Sequence, residues 1–298
     1  MVNLFQSKTH HLFKLSIEMK IFYLLLLIAT IHFQISCNSV DKKENSAKEK
    51  TTNSEVADLV LNQTFNTDWN TLTKDYMTWY KYTYHTVRLS QDFIGLDIDS
   101  IKIDKRTFLN KLETENVVAF KTKILEGQSV YQLFKLNSND RSIKATIKQM
   151  ASTEIEHLKM EGVEIPDFNF TDLNGKIYNK SSTKGKIVVL KCWFIHCVAC
   201  VKEFPELNKL VDENHGRNDI LFISLALDSK DSLLNFLKTK DFKYATVPNM
   251  MNYLTNKLNI TEYPTHLLID GNGKILKIVS RIDDLIPFLN NQTGKKSL

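Results

Sequence analysis

The feature that most restricts what this 298-residue chain can fold into is one segment, Lys186 to Leu210, which reads KIVVLKCWFIHCVACVKEFPELNKL. Its first half, Lys186 to Phe194, is an apolar run of strand length, the pattern of a buried strand. A short loop then presents His196 and Cys197, and a helix follows. In that arrangement Cys197 stands at a helix N-terminus, where unpaired amide N–H groups and the helix dipole favour a thiolate. Cys200 lies one turn deeper, in reach for a short disulfide ring. The chemistry open to such a pair is thiol–disulfide exchange, with Cys197 attacking a substrate disulfide and Cys200 resolving the mixed disulfide. No cofactor is required, because the redox centre is the Cys197–Cys200 disulfide itself.

The chain has four cysteines, and Cys192, Cys197 and Cys200 fall within nine positions of one another. A disulfide-stapled fold spreads its cysteines along the chain, so this clustering points to chemistry or to metal binding. A soft-metal site of Cys197, Cys200 and His196 is the other class of reading. It lacks a fourth ligand at familiar zinc spacing, and no metal is expected. Hydrophobic content of 43% and charged content of 24% are those of a folded globular chain. Of the net charge of +5, residues 1–36 hold +2, which leaves +3 for a mixed-sign surface. That is too little to point to nucleic acid.

The first 36 residues read as an address. Ile21 to Ile31 is an apolar run of about eleven residues, short of the ~20 a spanning helix needs and suited to the core of an export signal. Met19-Lys20 before it forms a short basic start, so residues 1–18 can be an upstream extension of the reading frame. Gln34-Ile35-Ser36-Cys37 resembles a bacterial lipoprotein signal, in which the cysteine is lipidated and becomes the mature N-terminus. An ordinary cleaved signal and an uncleaved anchor are the alternatives. Residues 37–54, charged and free of Gly and Pro, then form a disordered tether. The expected location is the bacterial cell envelope, with the folded part outside the cytoplasm. Asn38 after the cysteine favours the outer membrane over the inner.

All five prolines, Pro166, Pro205, Pro248, Pro264 and Pro287, lie beyond residue 165, which marks a boundary near 160–166. Residues 55–160 are expected to form a small α+β region. Tyr76, Trp79, Tyr80, Tyr82 and Tyr84 fit helix or strand spacing and are expected mainly as core. Asp104 can cap a helix carrying Phe108 and Leu112. Val117 to Ile124 and Val130 to Leu136 read as a hairpin around Glu126-Gly127. Ile143 to Met160 has helical spacing. Residues 161–298 alternate strands with helices, which implies an α/β sheet. Asn174-Gly175 between Phe168–Thr171 and Ile177–Asn179 signals a hairpin, because both turn positions tolerate positive φ. Further strands are expected at 220–227, 265–269 and 274–279, and helices after Ser229, around 251–258 and at 283–289.

With these motifs in place, residues 161–298 resemble the TlpA/ResA-type branch of the thioredoxin superfamily. The resemblance rests on Ile165-Pro166-Asp167-Phe168, on Gly185 to Leu190, and on Cys197-Val198-Ala199-Cys200 with Glu203-Phe204-Pro205-Glu206-Leu207. Asp228, Tyr263-Pro264-Thr265 and Leu268-Ile269-Asp270 extend it in the right order. It implies a thioredoxin-like fold with a central mixed sheet and a cis Tyr263–Pro264 bond facing the cysteines. It also implies a thiol-disulfide oxidoreductase whose partners are protein thiols and disulfides and an envelope electron donor. His196 stands where the family usually has Trp, Ala199 where it has Pro, and Lys191-Cys192 where an amide and Phe are common. A peroxidase and a binding module on a thioredoxin scaffold are the other readings.

Cys197, Cys200 and Glu203 are the expected catalytic residues, and Trp193, His196, Tyr263 and Pro264 the expected substrate contacts. Trp193 can equally be packing, and His196 either tunes the nucleophile or only faces solvent. Cys192 is expected in the core. Lys191, on the strand face shared with Val189 and Trp193, is expected to pair with Glu203 beneath Cys200, or else to reach the surface alone.

Overall fold

The computed structural model describes residues 63–65 and 68–294. The Ile21–Ile31 run, Cys37 and the charged stretch to Ser54 lie outside the described residues.

The first region is built on a five-stranded sheet. Its elements are β1 (Gln63–Thr64), α1 (Trp69–Leu72), α2 (Tyr76–Thr86), β2 (Phe93–Leu96), β3 (Lys102–Ile103), α3 (Lys105–Thr114), β4 (Val117–Leu125), β5 (Gln128–Lys135) and α4 (Arg141–Met160). Strand order is β1-β4-β5-β2-β3. Each helix starts where an aspartate can accept from a first-turn amide: Asp68, Asp75, Asp104 and Asp140 do so in turn. The β4–β5 hairpin closes on Glu126 and Gly127, both at positive φ (52° and 78°), the pairing a two-residue turn demands. Trp79, Phe108, Phe120, Leu133 and Ile143 fill the core between sheet and helices.

The aromatic stretch resolves as helix α2, and its reading as core holds only in part. Trp79 is buried at 1% exposure, whereas Tyr80 and Tyr84 are 37% and 47% exposed. Tyr76, Tyr80 and Tyr84 recur every four residues, so their rings stack as a ladder at 5.6 and 6.1 Å along one edge of the helix.

The second region opens with β6 (Asn169–Thr171) and β7 (Ile177–Asn179), followed by α5 (Lys180–Thr183). The two strands pair antiparallel, Phe170 opposite Tyr178, so the expected hairpin is present, closed by a loop of residues 172–176. Only Gly175 takes positive φ (84°), and the Asp172 carboxylate accepts from the amides of Asn174 and Lys176, each at 2.9 Å. An aspartate that can cap two amides favours this loop. Then come β8 (Ile187–Trp193), α6 (Val198–Lys202), α7 (Phe204–Glu213), β9 (Ile220–Ala226), α8 (Lys230–Phe236) and β10 (Ala245–Val247). A π-helical segment (Tyr253–Lys257), β11 (Thr265–Ile269), β12 (Ile275–Val279) and α9 (Ile282–Thr293) complete the chain.

These five long-range strands pair in the order β10-β9-β8-β11-β12. β10, β9 and β8 run parallel, and β11 and β12 are antiparallel. The mixed sheet expected from the resemblance is therefore present. β8 sits at its centre with both faces covered, which explains a strand apolar at nearly every position. Val188, Leu190 and Cys192 join one core, and Val189 and Trp193 join the other. Gly271 marks a close crossing, because a Cβ there would lie 2.8 Å from the Gly185 backbone.

The stretch after α4 is no free linker. The amides of Gly162 and Ile165 donate to the carbonyls of Ile275 (2.7 Å) and Gly273 (2.8 Å), and Glu161 meets the Lys277 ammonium at 2.8 Å. The described residues belong to one compact unit, 59–298.

Candidate active site

Strand β8 delivers the chain to the site, and the loop after it is fixed at both ends. Asp228, just past β9, accepts from the Ile195 amide at 2.8 Å. The Cys197 amide donates to the Phe194 carbonyl at 3.1 Å. Cys197 is the N-cap of α6, and its Sγ accepts from the Cys200 amide at 3.2 Å. A helix N-terminus is where such a sulfur meets unpaired amides and the positive end of the dipole. Cys197 and Cys200 are joined as a disulfide. Cys197 is 7% exposed and Cys200 0%, so the outer sulfur is the one an incoming thiolate can reach.

Helix α6 stops after one turn because Pro205 has no amide to continue the ladder and its ring crowds the carbonyl four residues back. Glu203 sits at that break and its side chain turns inward. Its Oε2 lies 2.5 Å from the Lys191 Nζ and 3.0 Å from the His266 Nε2, and its Oε1 accepts from the Ile282 amide at 3.3 Å. The pairing of Lys191 with Glu203 expected from strand alternation is formed, and Lys191 does not reach the surface: it is fully buried.

Three opposed effects set the charges of this cluster. Burial alone would push the Glu203 carboxyl up, but His266 and Lys191 outweigh it and hold the carboxyl down at about 2. Burial pushes the Lys191 ammonium below its usual range, with Glu203 opposing. Burial, reinforced by Lys191, also pushes His266 down. With Glu203 ionised, the His266 Nε2 is the nitrogen that donates to it, and Nδ1 has no partner.

His266 was not a sequence candidate. Its only sequence mark is a lone imidazole within an apolar strand, Thr265 to Ile269. What brings it to the site is register: β11 pairs antiparallel with β8, and His266 falls directly opposite Lys191.

Trp193, expected as a substrate contact, is instead buried. It is 0% exposed and its ring packs against Phe204 at 5.0 Å, Phe242 at 5.6 Å and Phe236 at 6.1 Å. It is a core residue beneath the active-site helix and offers no surface to a substrate. His196 is exposed beside the nucleophile. The Tyr263–Pro264 bond is cis, and β11 begins immediately after it with Thr265 opposite Cys192. The cis-Pro loop therefore stands at the same edge of the sheet as the disulfide. Tyr263 is half-buried, its ring edge-on to Phe194 at 5.6 Å, and burial pushes its phenol up to about 12. Cys192 points to the opposite face of β8, where burial pushes its thiol up to about 12. It is free and buried.

Residues 162–278 match the model of the AhpC/TSA family. A thiol-disulfide oxidoreductase ResA from Bacillus thuringiensis subsp. konkukian (strain 97-27) is 34% identical over 121 residues, 40% of this chain and 69% of the relative. The ResA of Bacillus subtilis (strain 168) is 31% identical over 121 residues, 40% of this chain and 67% of the relative. Among solved structures, the thioredoxin domain of a thiol-disulfide oxidoreductase from Bacteroides vulgatus aligns with 23% identity and a TM-score of 0.40, covering 44% of this chain and 96% of that one.

Proposed function

This chain belongs to the ResA-type thiol-disulfide oxidoreductases, and from that membership we propose that it exchanges disulfides with protein substrates in the cell envelope through Cys197 and Cys200. The observation that carries this reading is the pair itself, an outer sulfur capping α6 and an inner sulfur one turn below it.

The reaction balances with no further redox group. In the reduced protein the Cys197 thiolate attacks one sulfur of a substrate disulfide. A mixed disulfide forms and the other substrate sulfur leaves as a thiolate, which takes up a proton. Cys200, as thiolate, then attacks the Cys197 sulfur. The second substrate sulfur departs as a thiolate and takes up a proton to replace the one Cys200 gave up, two electrons have passed to the substrate, and the protein is left as the Cys197–Cys200 disulfide. An electron donor or acceptor in the envelope resets the pair.

Glu203 enters as a fixed anion. With its carboxyl held at about 2 it has no proton to give at pH 7, so the group in the cluster that can hold and release one is Lys191. Glu203 keeps that ammonium charged against its burial one turn beyond Cys200. His266 donates to the same carboxylate and fixes its orientation. His196, Tyr263 and Pro264 flank the disulfide and form the surface a substrate segment meets. The chain is tethered through a lipid on Cys37, with its folded part outside the cytoplasm. The Ile21–Ile31 run and the residues before Cys37 support this. Among the described residues no helix is long and apolar enough to cross a membrane.

Reduction of insulin disulfides by the reduced full chain tests this function. Turnover that Cys197→Ser abolishes is expected; peroxide consumption without insulin reduction would favour a peroxidase, and neither activity would favour a binding module.

A further inference from the structure

The wall beside the cis-Pro loop is not built by the second sheet alone. A cavity of about 350 Å³ opens against Tyr263 and Pro264, within the range of clefts that hold ligands. Its far side comes from the first region, from Tyr80 and Tyr84 on α2, Leu89 beyond it and Met150 on α4. This wall is anchored to the second region by contacts between residues far apart in sequence. The Ser90 hydroxyl donates to the Asp284 carboxylate at 3.0 Å, and the Gln91 amide donates to the Asp284 carbonyl at 2.7 Å. The Arg281 guanidinium donates to the Tyr84 carbonyl at 2.6 Å and lies 4.6 Å over its ring.

Those contacts also occupy the charges around the cavity. Arg88 faces Asp284 at 3.4 Å, and Glu262 accepts from Gln149 at 3.2 Å. Burial keeps Glu154 partly protonated near neutrality by pushing its carboxyl up to about 7. What remains for a visitor is mainly aromatic and aliphatic surface, interrupted by the polar side chains of Arg88, Thr153 and Ser280. Thr83 lines it as well, 5% exposed and with its hydroxyl lacking a partner.

We propose that this cavity is a specificity pocket for polypeptide disulfides, taking a large apolar side chain, best an aromatic one, that flanks the substrate cysteine. The inference rests on the exchange reaction proposed above. A segment docked along the cis-Pro loop with its cysteine on Cys197 leads directly into the cavity, because Tyr263 and Pro264 belong to both. An aromatic ring there would pack against the exposed rims of Tyr80 and Tyr84, whose faces are already covered by one another, by Tyr76 and by Arg281. Small-molecule disulfides carry nothing to fill the pocket. The first region would then be a substrate-selecting element rather than a spacer.

The test uses the reduced full chain and three disulfides. Two are peptides with their single cysteine disulfide-linked to 2-mercaptoethanol, identical except for Phe or Ala on each side of the cysteine. The third is 2-hydroxyethyl disulfide. Oxidation of the Cys197–Cys200 pair is followed by acid quench and mass measurement. The wild type is expected to react about tenfold faster with the Phe peptide than with the Ala peptide, as partial burial of one aromatic side chain implies. Tyr80→Ala is expected to lose that preference, with each rate referred to the same protein's rate on 2-hydroxyethyl disulfide to correct for any unfolded fraction. Equal rates for the two peptides in a wild type active on 2-hydroxyethyl disulfide would overturn the pocket, as would an unchanged preference in Tyr80→Ala. No reaction with any of the three would overturn the exchange reading on which the pocket depends.

Discussion

Replacing Glu203 by Gln tests the charge cluster beneath the disulfide through its dependence on pH. The ordinary glutamate value is 4.5 and the folded value about 2. At 1.36 kcal/mol for each unit, that gap amounts to about 3 kcal/mol of stability at neutral pH. Because the folded value is the lower one, this stability is fully present above 4.5 and is lost as pH falls through about 2. Removing one partner of a buried pair costs about 3–5 kcal/mol by the general rule, and the Lys191 partner is fully buried, so the two routes agree. Urea unfolding of the oxidised wild type and of Glu203→Gln, measured from pH 7 down to 2, reads the effect. The variant should be less stable by about 3 kcal/mol at pH 7, and the difference should shrink across the acid range as the wild type loses what the variant never had. The double variant Lys191→Met with Glu203→Leu should recover much of the loss, because an apolar pair leaves no buried charge uncompensated. A constant difference between wild type and Glu203→Gln at every pH would refute the reasoning. It would mean that the carboxylate is not held ionised by Lys191 and His266.

Trp193→Ala should cost about 3–5 kcal/mol by opening a cavity under α6, with thermal unfolding as the readout; a near-neutral effect would contradict its place among Phe204, Phe236 and Phe242. Gly271→Ala should lower stability by about 1–3 kcal/mol, since the new Cβ would come within 2.8 Å of the Gly185 backbone and strain the bond from the Gly185 amide to the Gly271 carbonyl; unfolding in urea at an unshifted midpoint would argue against that crossing. Cys37→Ala should release the protein from membrane fractions or block its processing, and a soluble mature protein beginning beyond Cys37 would end the lipid-anchor proposal.

The active-site segment was legible because its signals are local. Strand β8 is apolar on both faces, Pro205 ends the first helical turn, and the cysteines lie between them. The same alternation put Lys191 on the face from which Glu203 approaches. His266 was not legible, because its place beside Glu203 depends on the register of β11 against β8, 75 positions apart at the Lys191–His266 pair. Trp193 fails for a related reason. Alternation gives its face, but not the arrival of Phe236 and Phe242 from more than forty residues away to cover it. In α2, spacing gives one helix and says little about which ring turns inward. Trp79 does so, while Tyr80 and Tyr84 stay out along the wall of the cavity. The hairpin after β6 was legible because Asn174-Gly175 is a strong dipeptide signal; the capture of the neighbouring amides by Asp172 was not.

The central claim is that Cys197 attacks and Cys200 resolves. Its most direct test is Cys200→Ser in the full chain, reduced and then exposed to a protein disulfide such as insulin. With the resolving thiol gone, a mixed disulfide should accumulate, and peptide mass mapping should place the substrate cysteine on Cys197. The companion Cys197→Ser should trap little, because the sulfur it retains is 0% exposed. Accumulation of the adduct on Cys200 in Cys197→Ser, with none on Cys197 in Cys200→Ser, would contradict the assignment and reverse the roles of the two sulfurs.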